Sequence, residues 1–323
     1  MNMTVKHYPL SYPVTTIHFD GKMVRRLPEE RYRKSLEILK TLGISEVMLA
    51  GYVTVEEAEF DLSEETRRIG GLLSAMGMRP AQHHGISAVY APLAASQEPV
   101  VERLIRQVEY TANLHSPILV IHPGSYYEPD SWKRRVGVAE FFERETAMYG
   151  TEAVLSVAAG NLHEAGRAAE KLGVKIALEN VDRFEPMGGA DLLPRLVERA
   201  DSPGVGFCLD AGHAHCCGRT SVTEWIALMG DKLFTTHFHD NRGVRLQALG
   251  QERWISPVGI DEHLAPGFGT IPWLDVIGKL RETGYKNTVN FESRGWPGMP
   301  EREGFAHAIA FWRALERGEE EKL

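Results

Sequence analysis

Eight times along this chain a short run rich in Val, Ile, Phe and Thr is followed by an amphipathic stretch of helical period, and that alternation restricts the fold more than any other feature. The β-rich runs are VTTIHFD (14–20), EVMLAG (46–51), RPAQHH (79–84), PILVIHPG (117–124), KIALEN (175–180), VGFCLD (205–210), LFTTHFHD (233–240) and NTVNFES (287–293). Most are too short for helices and carry strand-forming residues. Between them lie stretches such as EERYRKSLEILKTLG (29–43), VVERLIRQVEYTANL (100–114) and LHEAGRAAEKLG (162–173), with LG or TG supplying helix-ending glycines. Parallel strands need crossover helices, and eight such units close into a ring, so the expected fold is an α/β (β/α)8 TIM barrel. No GxGxxG follows the first run, which removes the usual dinucleotide-binding reason for the other α/β arrangement, a doubly wound open sheet.

A chain of 323 residues, 43% hydrophobic, can bury one large core, and a single domain over 1–323 is expected. Two connections exceed what the barrel needs, 125–151 and 241–270, and both leave from the rim where long loops shape substrate pockets. The first 20 residues hold no continuous apolar segment, and no later run approaches the ~20 apolar residues of a membrane span. Cys208, Cys216 and Cys217 are odd in number and crowded, which suits a reducing compartment better than a disulfide framework. A cytoplasmic protein is the expectation. With 36 basic against 44 acidic residues the net charge is −8, so no membrane partner and no nucleic-acid partner is expected.

In a parallel ring every strand's C-terminal end lies on one rim, where residues distant in sequence converge. Glu179, Asp210, His239 and Glu292 end four of the runs and together make an oxygen-rich set with one nitrogen. That set suits Mn(II), Mg(II) or Co(II), and it accommodates Zn(II). Any one strand-end carboxylate is more often a helix cap or an ion-pair partner; the force of the reading is that four share a rim. A second set of additional metal or substrate contacts comprises His84 (in competition with its neighbour His83), His122, His213, Asp261 and His263. His213 follows Asp210 by three positions, within the first turn after the strand. The Asp261-x-His263 pair projects to one side if that loop is extended.

The motifs HPGS, ALEN, LDAGHAH, HFHDN, DEHLAPGFGTIPW and NFES resemble the xylose isomerase-like barrel superfamily, which holds sugar phosphate isomerases and epimerases and the endonuclease IV group. The resemblance to its single-metal epimerases implies that Glu179, Asp210, His239 and Glu292 hold a catalytic metal and that His213 meets the substrate. It also places the second histidine of THFHDN in the ligand position and leaves His237 one layer deeper in a structural role. Endonuclease IV relatives hold three zinc ions, with further ligands at positions matching His84, His122, Asp261 and His263.

The chemistry that fits is proton transfer beside a carbonyl, with a metal-stabilised enediolate and with Glu179 and Glu292 as the acid and base pair. The expected substrate is a small carbohydrate: a sugar, sugar phosphate or polyol. Arg245, and Arg242 before it, could reach a hydroxyl or phosphate. Trp273, Trp296, Tyr126 and Tyr127 could wall a sugar ring, and PGFGTIPW (266–273) could present backbone donors to a phosphate, although a plain loop-to-helix entry is the more common use of such a segment. Two alternatives stand beside the isomerase or epimerase: an endonuclease IV-like zinc phosphodiesterase acting on abasic DNA, and a metal-dependent dehydratase-type lyase. Barrels of this class often associate, so a homo-oligomer is left open.

Overall fold

A computed structural model of the chain describes residues 7–19, 24–50, 60–85, 88–124, 136–181, 185–217, 219–243, 261–293 and 298–319. In chain order the strands are β1 (Leu10–Val14), β2 (Ile17–Phe19), β3 (Val24–Arg26), β4 (Glu46–Ala50), β5 (Arg79–His84), β6 (Ile118–Ile121), β7 (Lys175–Glu179), β8 (Val205–Asp210), β9 (Leu233–His237) and β10 (Val289–Asn290). All but β2 and β3 form one parallel sheet in the order β10-β1-β4-β5-β6-β7-β8-β9. The ring closes where Phe238 bridges Phe291: the Phe238 N–H donates to Asn290 O at 2.8 Å, and the Glu292 N–H donates to Phe238 O at 3.0 Å. The fold is the expected single-domain (β/α)8 barrel.

The first strand differs from the sequence expectation. Of the run 14–20 only Val14 belongs to the barrel, while β2 pairs with β3 in a separate antiparallel ribbon. The barrel strand begins at Leu10 and contains Pro13, a residue that normally argues against a central strand because it has no N–H. Here the bonds to β10 run through the carbonyls of Pro9 and Ser11, which accept from Val289 and Phe291 at 2.9 Å, so that edge does not call on Pro13.

The helices are α1 (Glu29–Thr41), α2 (Leu62–Ala75), α3 (Glu98–Asn113), α4 (Val136–Tyr149), α5 (Thr151–Leu172), α6 (Leu193–Ala200), α7 (Ala211–Cys217), α8 (Val222–Met229), α9 (Trp273–Glu282) and α10 (Glu301–Arg317). Most of the longer helices bury an apolar stripe, as α1 does with Tyr32, Leu36 and Leu39 at helical spacing. Two are larger than the sequence suggested. α5 begins at Thr151, eleven positions before 162, and α4 occupies much of the 125–151 connection. Residues 125–135 of that connection and 244–260 of the other lie outside the described residues.

The outward side chains of the strands, among them Val47, Leu49, Leu119, Ile176, Leu178 and Leu209, are sealed beneath the helices. The inner floor is mixed. Thr235 of β9 donates to Gln82 of β5, strands that are not neighbours, so this bond crosses the barrel. Ser11 donates to Asn290, and the amides of Gln82 and Asn290 reach Met48 Sδ at 3.2 and 3.3 Å. These polar groups are buried yet partnered, as buried polar groups must be. Cys208 and Cys216 are buried, and Cys216 Sγ donates to His213 O at 3.5 Å. No described helix is long and apolar enough to cross a membrane.

Candidate metal centre

Two glutamates from opposite parts of the ring meet at one imidazole. His237 Nδ1, at the end of β9, lies 3.0 Å from Glu179 Oε2 at the end of β7 and 2.9 Å from Glu292 Oε2, two residues past β10. His84, ending β5, brings Nε2 to 3.4 Å from the same Glu179 oxygen and stacks on His237 with ring centroids 5.1 Å apart. Ligand atoms of these four residues all lie within 4.8 Å of one another. His122, just past β6, points Nε2 toward the same oxygen at 3.6 Å. Of the pair at 83 and 84 it is His84 that faces the site; His83 turns away and bonds Thr111 at 2.8 Å.

A second group adjoins the first. Asp210 ends β8 and caps the following turn, its Oδ1 accepting the His213 N–H at 2.6 Å. Asn180 clips the two strand ends together, accepting from Asp210 N at 2.7 Å and donating to Asp210 O at 2.9 Å. The cap swings His213 inward, with Nδ1 3.1 Å from Glu179 Oε1 and Nε2 3.4 Å from Asp261 Oδ2. His239 Nε2 lies 3.1 Å from the Asp210 carboxylate and 3.6 Å from Asp261 Oδ1. Its ring stacks on His263 at 4.0 Å. Gly212 makes this approach feasible, because a Cβ there would stand 1.9 Å from His239 Cε1.

The expected quartet is therefore divided. Glu179 and Glu292 converge on His237, whereas His239 sits with Asp210, and the deeper structural role expected for His237 does not describe its position. The reason lies in the pairing: Asp210 is in register with His237, which brings His237 level with the strand-end carboxylates. Alternation sends His237 and His239 to the same face, so sequence alone could not choose between them.

The loop before α9 carries Asp261 and His263. It is not extended as the spacing reading assumed: His263 has φ +49°, in the left-handed region, yet its Nε2 still comes within 3.3 Å of Asp261 Oδ2 while Nδ1 faces Glu292 O at 2.9 Å. Asp240 holds this loop. Its buried carboxylate accepts from Asn241 N at 2.9 Å, Gly267 N at 2.9 Å, Ile271 N at 3.2 Å and Trp273 Nε1 at 2.8 Å. Two backbone donors of PGFGTIPW, Gly267 N and Ile271 N, are taken by a carboxylate from the protein itself, in line with the plain loop-to-helix entry weighed above rather than a phosphate cradle. Trp273 is 3% exposed and packs among Phe238 and Trp312, so it presents no wall to a substrate. Arg242 is an exposed partner of Glu262. Arg245, Tyr126, Tyr127 and Trp296 fall outside the described residues.

Burial and charge act against each other throughout the cluster. Burial alone raises the Glu179 carboxyl, but the charges of His237 and His122 and contacts from His122 and His213 hold it well below the usual range. Asp261 and Glu292 are likewise held low against burial, by His213 and His263 in one case and by His237 and His84 in the other. Burial disfavours protonated imidazole, yet facing carboxylates raise His213 well above 6.5, His122 to about 10 and His263 to about 9, and Cys208 together with Glu179 and Glu292 raises His237 well above 6.5. In the absence of another cation, protons balance the carboxylates. Glu179 Oε2, both ring nitrogens of His237, His239 Nδ1 and Asp261 Oδ1 are buried without a well-formed hydrogen bond. Such orphaned carboxylate oxygens and imidazole nitrogens are the donor set of a hard to borderline divalent cation, and the residues fit one.

Comparison with known proteins agrees with the architecture. A family profile described as xylose isomerase-like TIM barrel matches residues 36–315. An uncharacterized protein of Methanocaldococcus jannaschii is 29% identical over 197 residues, covering 60% of this chain and 56% of that protein. An uncharacterized protein of Sinorhizobium fredii is 32% identical over 122 residues, 37% of this chain and 33% of the relative. The chain thus matches little more than half the length of the first and a third of the second. Among solved structures, an L-ribulose 3-epimerase superposes with TM-score 0.68 at 14% identity, covering 97% of this chain and 95% of that one. D-psicose 3-epimerase with D-tagatose from Clostridium cellulolyticum H10 gives 0.65 at 15% identity, over 94% and 99%. The IolI protein with a bound zinc atom gives 0.63 at 16% identity, over 95% and 98%. These likenesses show the fold.

Proposed function

The chain belongs to the xylose isomerase-like TIM-barrel family, and from that premise we propose that it is a divalent-metal-dependent isomerase or epimerase of a small sugar or polyol. The observation that carries the reading is the meeting of Glu179 and Glu292 at His237 Nδ1, at 3.0 and 2.9 Å, on a barrel shared with sugar 3-epimerases. His84, Glu179, His237 and Glu292 would hold the metal, with Asp210, His213 and His239 adjoining. A bound divalent cation supplies Lewis-acid stabilisation of the negative charge that develops on substrate oxygens when a proton leaves the neighbouring carbon.

The protein groups divide the remaining work. Glu179 is 1% exposed and held ionised, ready to accept a proton but cut off from water. Glu292 keeps a quarter of its side chain exposed, 25%, so it can take from solvent the proton that it hands to the substrate carbon. A substrate carbon between the two carboxylates loses a proton to one and regains it from the other on the opposite face, which inverts that centre. Return to the adjacent carbon gives isomerisation. His213 lines the same space and can donate to substrate hydroxyls.

A second reading is favoured by a specific observation. Asp210, His213 and His239 form one further potential metal group, and His239, Asp261 and His263 form another. Three neighbouring groups would suit a multinuclear phosphodiesterase acting on abasic DNA. Metal content measured on protein purified without chelator, followed by add-back of Mn, Mg, Co and Zn against a sugar panel and an abasic duplex, separates the two. About one Mn, Mg or Co per chain with sugar turnover supports the first reading, and two to three zincs with strand cleavage replaces it with the second.

A further inference from the structure

His122 differs from the other histidines of the cluster in what stands behind it. Its Nε2 faces Glu179 Oε2 at 3.6 Å, and its Nδ1 lies 3.2 Å from Oε1 of Glu185. Glu185 is 2% exposed, on the loop after β7, with its N–H bonded to Val181 O at 3.0 Å. A carboxylate so buried needs a specific partner to offset its desolvation. The chain makes room for this one: a Cβ on Gly124 would lie 2.5 Å from Glu185 Oε2, so the glycine of the HPG sequence lets Glu185 reach past the backbone to the imidazole two residues earlier. Gly124 is itself fixed, its carbonyl accepting from Val89 N at 3.1 Å.

We propose that Glu185 is a positioning residue for the metal centre: through its bond to Nδ1 it fixes the tautomer and ring orientation of His122, so that the Nε2 lone pair is presented to the cation held with Glu179. The inference rests on the metal reading above and extends it to a residue outside the cluster. A carboxylate behind a ligand imidazole raises its basicity and restricts its rotation, and loss of such a partner typically weakens metal binding about 10- to 100-fold. His122 is the most exposed imidazole of the described cluster, its side chain 28% accessible, and Glu185 is the carboxylate behind it.

The test is a double-mutant cycle on the full chain with Zn(II) as probe. Affinity is measured by competition with a chromophoric chelator, and Co(II) substitution reports the ligand field. Glu185→Ala and His122→Ala should each weaken the first equivalent of metal by about 10- to 100-fold, and the double variant should be no weaker than His122→Ala. Glu185→Gln, which keeps an acceptor oxygen and the volume, should recover part of the loss and restore the Co(II) spectrum; it also completes the cycle if the alanine variant fails to fold. Additive losses would mean that Glu185 acts through the fold rather than through His122, and unchanged affinity in Glu185→Ala would remove the role altogether. Glu179→Gln separates this inference from its premise. If that variant binds metal as the wild type does, the metal reading itself fails. If it loses metal while the Glu185 and His122 variants do not, only the positioning role is lost.

Discussion

At the scale of single residues the site turns on which imidazole the two glutamates share. Because His237 Nδ1 lies 2.9 to 3.0 Å from both, His237→Ala should weaken the first equivalent of metal far more than His239→Ala, as read by chelator competition; the reverse ranking would restore the quartet expected from sequence. Gly212→Ala tests the contact that seats His239. A Cβ 1.9 Å from the ring cannot be accommodated without shifting it, and overpacking of this kind costs about 1–3 kcal/mol, measurable as a lower urea midpoint at unchanged slope. An unchanged midpoint would show that the ring moves freely. Glu179, Asp210 and Glu292 were legible in the sequence because a carboxylate that ends a β-rich run has to emerge on the rim. The choice between His237 and His239 was not, since it depends on pairing register with β8. Glu185 was invisible for a different reason: it sits in a loop with no periodicity, and its partner is 63 positions away.

At the scale of elements, the Asp240 carboxylate organises the whole approach to α9. Four N–H donors point at it, and the paired backbone bonds between Asp240 and Leu264, at 2.7 and 2.9 Å, fasten the loop that carries Asp261 and His263. Asp240→Ala leaves those buried donors without a partner, a loss of about 3 kcal/mol on the scale of one to three per orphaned group after partial relaxation. Asp240→Asn retains one acceptor oxygen and should lose less. Equilibrium urea unfolding measures both, and equal midpoints for the alanine variant and wild type would mean that the loop is held elsewhere. The motif DEHLAPGFGTIPW pointed to this segment, but not to the side chain that holds it. A glycine-rich entry to a helix attracts anions in general, and only the folded chain shows that the anion is a side chain three residues past the end of β9. The first strand escaped for a similar reason: Pro13, having no N–H, is disfavoured in a strand paired on both edges, and the ring takes its bonds to β10 through the carbonyls of Pro9 and Ser11 instead.

For the molecule as a whole, the cluster ties stability, metal and pH together. Glu179, Asp261 and Glu292 are held below their unfolded values, so their contribution is present above about pH 4.5 and fades as pH falls through their folded values. The imidazoles are shifted the other way, His122 to about 10 and His263 to about 9, with His213 and His237 also raised. Their contribution is complete below pH 6.5 and is lost as pH climbs through 9 and 10, because the deprotonated ring no longer balances the carboxylates. The metal-free protein should therefore be most stable between roughly pH 4.5 and 6.5 and weaken on the alkaline side. Metal reverses that slope, since an imidazole must give up its proton to become a ligand and the cation then supplies the positive charge. Thermal melts with chelator and with saturating metal should consequently diverge as pH rises from 6 toward 9, the loaded protein gaining on the stripped one. Metal added at pH 7 in weak buffer should release about one proton or more per ion, and the number should shrink as pH approaches 10. Absence of proton release at pH 7 would mean that the rings are already neutral, and that something other than their protons balances the four carboxylates gathered at the mouth of this barrel.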